Sequence, residues 1–388
     1  MLSDIIDLTH EAPLPEDIRQ DWLPLDGQSV PHLFQFTRYP PQNMVYSNYP
    51  DLSQLLHRER VTNFHPQNLL QLGPPPPQLS DHYRTAIRAA PFTIHSLTLV
   101  PTSGYPIRVP VWILDYWQEI RRAMGYQHDW KRVLVWLREV SESRSMVEIC
   151  DQVMAGLSYF PWNGGNCSVH DMVSLLTDSW LTDFHINYAL TKISHHYHDC
   201  HGAEASNSHI FLSVSMLGLI ATAYREGVHH GCAADKTDQL LEVENKIICG
   251  HIKSAAGVLH LGNHWTSLVI TFKPPRIFYG DSLANPMPPN KASAFQQWIF
   301  HMLSRSQHQV EISDICLFPL ATTIQKDPNS CGLFALNAIG HHYLQQDSLL
   351  LQPDSLSVAQ SRMEIALKLL HDGSVSLFLY TDIPSIGL

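Results

Sequence analysis

Two apolar runs, His264 to Phe272 and Arg276 to Asp281, are separated by Lys273-Pro274-Pro275. Proline has no N–H to give a sheet ladder, so this break cannot be strand interior. The two runs must fold back on each other as a β-hairpin. With Pro274 as the centre, His264 lies ten residues before it and Asp281 seven after. The pair falls within three residues of register, roughly 10 Å along the strand at about 3.4 Å per residue. A reaching side chain or a bulge closes that gap, so an imidazole and a carboxylate meet at one end of the hairpin. A neutral His can act as general base while a buried carboxylate fixes its tautomer. The bland alternatives are an ordinary histidine, one of 24, and an Asp281-Ser282 turn cap.

Downstream, Asp327-Pro328-Asn329-Ser330 forms a loop of turn formers, and Cys331 follows it. Leu333, Leu336, Ile339 and Tyr343 recur at helical spacing, so Cys331 to Leu344 is a strongly apolar helix with Cys331 at its start. The positive end of the helix macrodipole favours a thiolate there. Gly332 leaves room beside the thiol for a substrate backbone. Taken alone, Cys331 reads as readily as a small core residue. The hairpin is what makes it a nucleophile candidate.

The chain has 388 residues, 44% hydrophobic and 16% charged, with 9 Trp. That composition excludes a wholly disordered chain. A net charge of −11 argues against gripping nucleic acid through the overall field. Seven cysteines without a C-x-x-C pair argue against a disulfide framework or a zinc ribbon. The start, Met-Leu-Ser-Asp-Ile-Ile-Asp, lacks a signal-peptide pattern. The greasy stretch Ile210 to Ala223 is too short to span a membrane and reads as one buried helix. A soluble intracellular protein, in nucleus or cytoplasm, is expected, with its oligomeric state left open. His195, His196, His198, Cys200 and His201 are tempting as zinc ligands. Without a second paired motif they read as a solvated helix end, and His229-His230-Gly231-Cys232 is no stronger a metal signal.

Residues 1–85 hold twelve of the 26 prolines, with Pro74 to Pro77 in a row. They read as a loosely ordered, Pro-rich tail. A mainly helical extension is expected over 86–160, with a strand at Phe92 to Val100 and helices at Val111 to Gly125, Asp129 to Glu142 and Met146 to Leu157. A boundary at Pro161 to Gly165 leads to a third region, 165–388. There Asp183 to His198 is an amphipathic helix capped by Thr182. Ala292 to Leu303 is a further helix and Ile315 to Leu320 a strand.

His264-Trp265, Asp281-Ser282, and Gln325 six residues before Cys331-Gly332 together resemble the ubiquitin-like-protein-specific cysteine proteases, the SUMO (sentrin) or Ulp-type enzymes. The segment Trp180-Leu181-Thr182-Asp183 resembles that family's Trp-Leu-x-Asp motif. The Pro161-Trp162 step and the Trp-rich helices before it are similar to the fungal transposon-associated branch. The resemblance implies an α+β cysteine-proteinase fold, with the helix bearing the nucleophile packed on a mixed sheet. It implies Cys331 as nucleophile, His264 as base, Asp281 as orienting carboxylate and Gln325 as oxyanion-hole donor. Trp265 and Trp180, with Asp183 and Gly332, would line the path of the modifier's Gly-Gly tail. Ser330 stands where relatives often have Asp, and Ile324 where Pro is common. Neither metal nor organic cofactor is implied. The partner would be SUMO or another ubiquitin-like modifier and its conjugates.

The alternatives are the same chemistry on ubiquitin or a Nedd-type modifier, a related acetyltransferase, or an idle SUMO-binding adaptor. A papain-like order with Cys167 as nucleophile ranks low, because no Gln precedes Cys167 at oxyanion-hole spacing. Finally, Ile5, Ile6, Asp7 and Leu8, followed by Glu11, Glu16 and Asp17, resemble a SUMO-interacting motif able to add as a strand to a sheet edge.

Overall fold

The computed structural model describes residues 13–24, 27–41, 44–47, 51–141, 143–162, 167–206, 208–225, 238–306, 310–345 and 349–381. Two compact units emerge, one from Met1–Arg132 with Leu157–Val169, the other from Val133–Gly156 with His170–Leu388. The expected boundary at Pro161 to Gly165 falls largely outside the described residues.

The first unit corrects the expected Pro-rich tail. It contains helices α1 (Glu16–Trp22), α2 (Val30–Gln35), α3 (Pro77–Ala89) and the start of α4 (Ile113–Val140). Strands β1 (Leu56–His57), β2 (Ser96–Leu99) and β3 (Ile107–Pro110) form an antiparallel sheet in that order. Leu14, Ile18, Leu33, Leu55, Leu69 and Leu79 are all buried, so this region supplies core rather than tail. The prolines act as punctuation: Pro31, Pro66 and Pro77 sit in the first positions of helical turns, where a missing N–H costs nothing. The run Pro74 to Pro77 is tied down, since Trp117 Nε1 donates to the Leu72 carbonyl at 3.1 Å and Arg121 Nη2 donates to the Pro75 carbonyl. The expected pair of helices across 111–142 is the single α4; the expected strand at Phe92 to Val100 is β2, and β3 is an addition.

The second unit is a five-stranded mixed sheet, β4 (His209–Phe211), β5 (Ser254–His260), β6 (Trp265–Phe272), β7 (Pro275–Gly280) and β8 (Cys316–Pro319), in that spatial order. The outer pairs are parallel and the inner pairs antiparallel. Central strand β6 is buried on both faces. Leu268, Ile270 and Phe272 join a core with Trp298 and Phe295 of α10 (Pro289–Arg305), Leu217 and Ile220 of α8 (Val214–Ala223), and Leu240 of α9 (Asp238–Ile248). The other face of β6 carries α11 (Cys331–Leu344). Its apolar residues Leu333, Leu336 and Ile339 are buried, as the sequence spacing predicts. This is the expected α+β arrangement, with the helix that begins at Cys331 packed on a mixed sheet. The stretch Ile210 to Ala223 differs from expectation. It divides into β4 and α8, because Leu212 N–H pairs with the Ala256 carbonyl at 2.7 Å and the Ser213 hydroxyl caps the helix through Met216 N–H at 3.2 Å. Helices α5 (Arg144–Tyr159), α6 (Val169–Leu175), α7 (Asp183–Ser206) and α12 (Ser355–Thr381) complete the described helices.

Candidate active site

The hairpin registers Phe272 opposite Pro275 and Ser267 opposite Gly280. One step further, Asp281 stands level with Thr266, two residues from His264. The side chains close that offset: His264 Nε2–H donates to Asp281 Oδ1 at 2.7 Å. Leu261 N–H, donating to the His264 carbonyl at 2.8 Å, holds the turn that presents the imidazole. The carboxylate is 2% exposed and the imidazole 15%. Oδ1 also accepts the Leu283 N–H at 2.7 Å, so the carboxylate has a second anchor. Gly280, just before it, admits the chain at Leu320 to Thr322; a Cβ would collide with the Thr322 and Ser267 side chains.

Cys331 opens α11 and is buried. The Trp265 backbone hydrogen-bonds its sulfur, which places the thiol beside the residue that follows His264. The charge balance differs from the macrodipole expectation. Burial pushes the Cys331 thiol up; backbone N–H groups of Trp265, Gly332 and Cys331 itself oppose that, and Asp327 adds to it, with a net upward result. Desolvation outweighs the helix start here because the sulfur has little water to stabilise its charged form. A base must therefore take the proton as the sulfur reacts.

Gln325 is buried, and both ends of its amide are held. Its Oε1 accepts from the Ser282 hydroxyl at 2.6 Å and its Nε2 donates to the Asp327 carbonyl at 2.7 Å. Gln325 N–H also donates to the Ser282 carbonyl at 2.9 Å. One Nε2 hydrogen has no hydrogen-bond acceptor among the described residues. Ser282 has no role in the sequence reading beyond its place after Asp281, yet it orients this amide.

Trp265 Nε1 donates to the Leu181 carbonyl at 3.0 Å, and Trp180 Nε1 donates to Asn329 Oδ1 at 2.8 Å. Trp180 is 38% exposed, Trp265 buried. A Cβ on Gly332 would lie 3.1 Å from Ile186 Cδ1 and 3.2 Å from Trp265 Cδ1, so the absent side chain permits this close packing. Asp183 is exposed in the first turn of α7. Beneath it lies His185, which sequence analysis missed. Its Nδ1 accepts the Thr182 N–H at 3.0 Å and its Nε2–H donates to the Asp171 carbonyl at 2.7 Å. His185 is the third helical residue after Thr182, and its ring reaches back to the Thr182 N–H as a capping-box Glu would, a spacing visible in sequence. Burial pulls the His185 pKa down to about 4.

The candidate strand motif at residues 4–9 lies outside the described residues, as does His229 to Cys232. His195, His196 and His198 are exposed on α7. Cys167 sits in the first unit with its sulfur 3.6 Å from the Ser168 carbonyl.

A thiol buried at a helix start and bonded to the backbone of the residue after His264, with a His–Asp pair carried by adjoining strands, is an arrangement able to do the chemistry of an α+β cysteine protease. Residues 179–361 match the Ulp1 protease family, C-terminal catalytic domain, a family of cysteine proteases. No curated protein matches the chain. Solved structures similar to it include the C-terminal Ulp1 protease domain in complex with Smt3, the yeast ortholog of SUMO. That likeness has 19% identity, covers 58% of this chain and 95% of that one, and has a TM-score of 0.42. The Ulp1-like SUMO protease catalytic domain of Chaetomium thermophilum is 16% identical over 58% and 88%, with a TM-score of 0.41. The Xanthomonas campestris effector XopD bound to ubiquitin is 16% identical over 48% and 91%, with a TM-score of 0.33. Among the described residues no helix is long and apolar enough to cross a membrane.

Proposed function

We propose that this chain is a thiol isopeptidase and endopeptidase that cleaves after the C-terminal Gly-Gly of SUMO or a related ubiquitin-like modifier. The observation that carries this reading is the His264–Asp281 hydrogen bond beside the buried thiol of Cys331. The protease family matched by residues 179–361 supports the substrate class. With Nε2–H committed to Asp281, His264 Nδ1 is the free base. It takes the thiol proton as sulfur attacks the carbonyl of the terminal glycine. The remaining Gln325 Nε2–H and the Cys331 backbone N–H receive the oxyanion. The imidazolium then gives its proton to the leaving lysine amine, and a thioester remains on Cys331. In the second half His264 draws a proton from water and the hydroxide attacks the thioester, releasing the Cys331 thiolate and the modifier's carboxylic acid; the acid loses its proton to solvent and the imidazolium returns its proton to the thiolate. Trp180 and Trp265 are assigned to the walls around the glycine tail, where a larger residue would collide. Among the described residues Cys150, Cys167, Cys200, Cys249, Cys316 and Cys331 are not joined in disulfides, which suits an intracellular enzyme.

The test is a panel of SUMO, Nedd-type modifier and ubiquitin, each with a C-terminal vinyl sulfone. The expected result is a covalent adduct with SUMO that requires Cys331. Labelling by ubiquitin alone would move the enzyme to that modifier. Absence of any Cys331-dependent adduct would leave a non-catalytic adaptor.

A further inference from the structure

Arg362, on α12, is 1% exposed. Its guanidinium joins two segments that flank the nucleophile. Nη1 donates to the carbonyls of Thr177 at 2.8 Å, Ser174 at 3.1 Å and Leu175 at 3.3 Å. Nη2 donates to the Ser179 carbonyl at 2.7 Å and the Asn329 carbonyl at 3.4 Å. Ser179 immediately precedes Trp180. Asn329 lies two residues before Cys331 and receives the Trp180 indole on its side chain. One planar fork thus holds the backbone of the Trp180 segment against the backbone of the Cys331 turn. A lysine ammonium is a single point on a flexible stem and cannot reproduce that span. Burial lowers the Arg362 pKa to about 10, with Asp178 and Asp327 opposing the drop, so the fork stays cationic at neutral pH.

We infer that Arg362 is a positioning residue that sets the gap between Trp180 and the Cys331 turn, and that this gap selects glycine at the end of the substrate. The inference rests on the proposed cleavage after Gly-Gly. Arg362 touches neither substrate nor reacting atoms in this assignment; it fixes the width of the passage they share.

The experiment compares two peptide probes, acetyl-Gly-Gly vinyl sulfone and acetyl-Ala-Ala vinyl sulfone, by the rate of mass shift at Cys331. Iodoacetamide serves as a small reagent that needs no passage. The wild type is expected to favour Gly-Gly by on the order of tenfold or more, the scale on which a tight pocket rejects one added methyl group. Arg362→Lys is expected to shrink that preference to about twofold, while iodoacetamide alkylation stays unchanged, because only the passage has loosened. An Arg362→Lys enzyme that keeps the preference overturns the inference. So does a parallel fall with all three reagents, which would mean that Cys331 itself has moved. Where Arg362→Lys does not fold, Asn329→Ala decides, because it removes the Trp180 acceptor and leaves the Arg362 clamp on backbone carbonyls. Retained Gly-Gly preference supports the clamp, and lost preference assigns the gap to the Trp180–Asn329 bond and overturns it. Peptide labelling of Cys331 without labelling by SUMO vinyl sulfone would fault the modifier assignment alone, and the peptide preference would still decide the role of Arg362.

Discussion

The Ser282 hydroxyl donates to Gln325 Oε1 at 2.6 Å, so the residue after Asp281 holds the amide proposed to receive the oxyanion. The two ends of the proposed site are therefore linked through adjacent residues: Asp281 holds the imidazole proposed as base, and Ser282 holds the amide proposed as oxyanion donor. The backbone repeats the link, with Gln325 N–H on the Ser282 carbonyl.

From that link, Gln325→Ala should lower kcat by about 10²-fold, as loss of one oxyanion donor does. Ser282→Ala leaves the donor present but less well aimed, and should cost roughly tenfold, within the range for a misoriented catalytic group. Steady-state cleavage of a SUMO fusion measures both. Equal losses in the two variants would count against Ser282 acting through Gln325.

Cys331→Ser should abolish cleavage while melting within a few degrees of the wild type. Sulfur to oxygen changes little volume, and the surrounding N–H groups can serve a hydroxyl, but the hydroxyl is a far weaker nucleophile. Cys167→Ser should be almost silent. Calorimetry and the cleavage assay together check this; survival of activity in Cys331→Ser would remove it as the nucleophile.

His264→Ala should be the more damaging of the triad pair. Asp281→Asn leaves the imidazole in place but permits the wrong tautomer, a defect worth about 10⁴-fold in the serine-protease counterpart. Its loss here should fall between that figure and the wild type. A residual rate in His264→Ala above that of Asp281→Asn would reverse the assigned roles.

His185 gives a pH dependence of stability. Its folded pKa of about 4 lies below the ordinary histidine value. The unfolded chain therefore binds the proton first, and stability falls as pH drops from about 6.5 toward 4. The shift corresponds to roughly 3 kcal/mol at the acid end of that window. Burial also holds His209 and His342 down, so they add in the same direction. His185→Gln keeps a capping acceptor at the third helical position without the titration. Denaturant midpoints between pH 7 and pH 4.5 should fall less steeply in that variant than in the wild type. Identical slopes would show that His185 is not the source.

The sequence alone determined the hairpin, the apolar helix beginning at Cys331 and the order His264, Asp281, Cys331. Each is a local consequence of chain chemistry: prolines that cannot join a ladder, and apolar residues at helical or strand spacing. Gln325 was legible only through the resemblance to the Ulp-type proteases. Sequence reading failed where partners are remote in the chain. The Pro-rich residues looked loose because proline count reports backbone restriction, not whether the leucines between prolines find a core. Their burial with Leu97, Val109 and Trp117 is a tertiary event. The break between β4 and α8 depends on pairing with β5, some 45 residues away. Arg362 was silent for the same reason: its acceptors are backbone carbonyls up to 188 positions upstream. The fate of the Cys331 thiol was also beyond the sequence. A helix start favours the thiolate in any context, but only the packed structure decides how much water is removed from the sulfur, and here that desolvation outweighs the dipole.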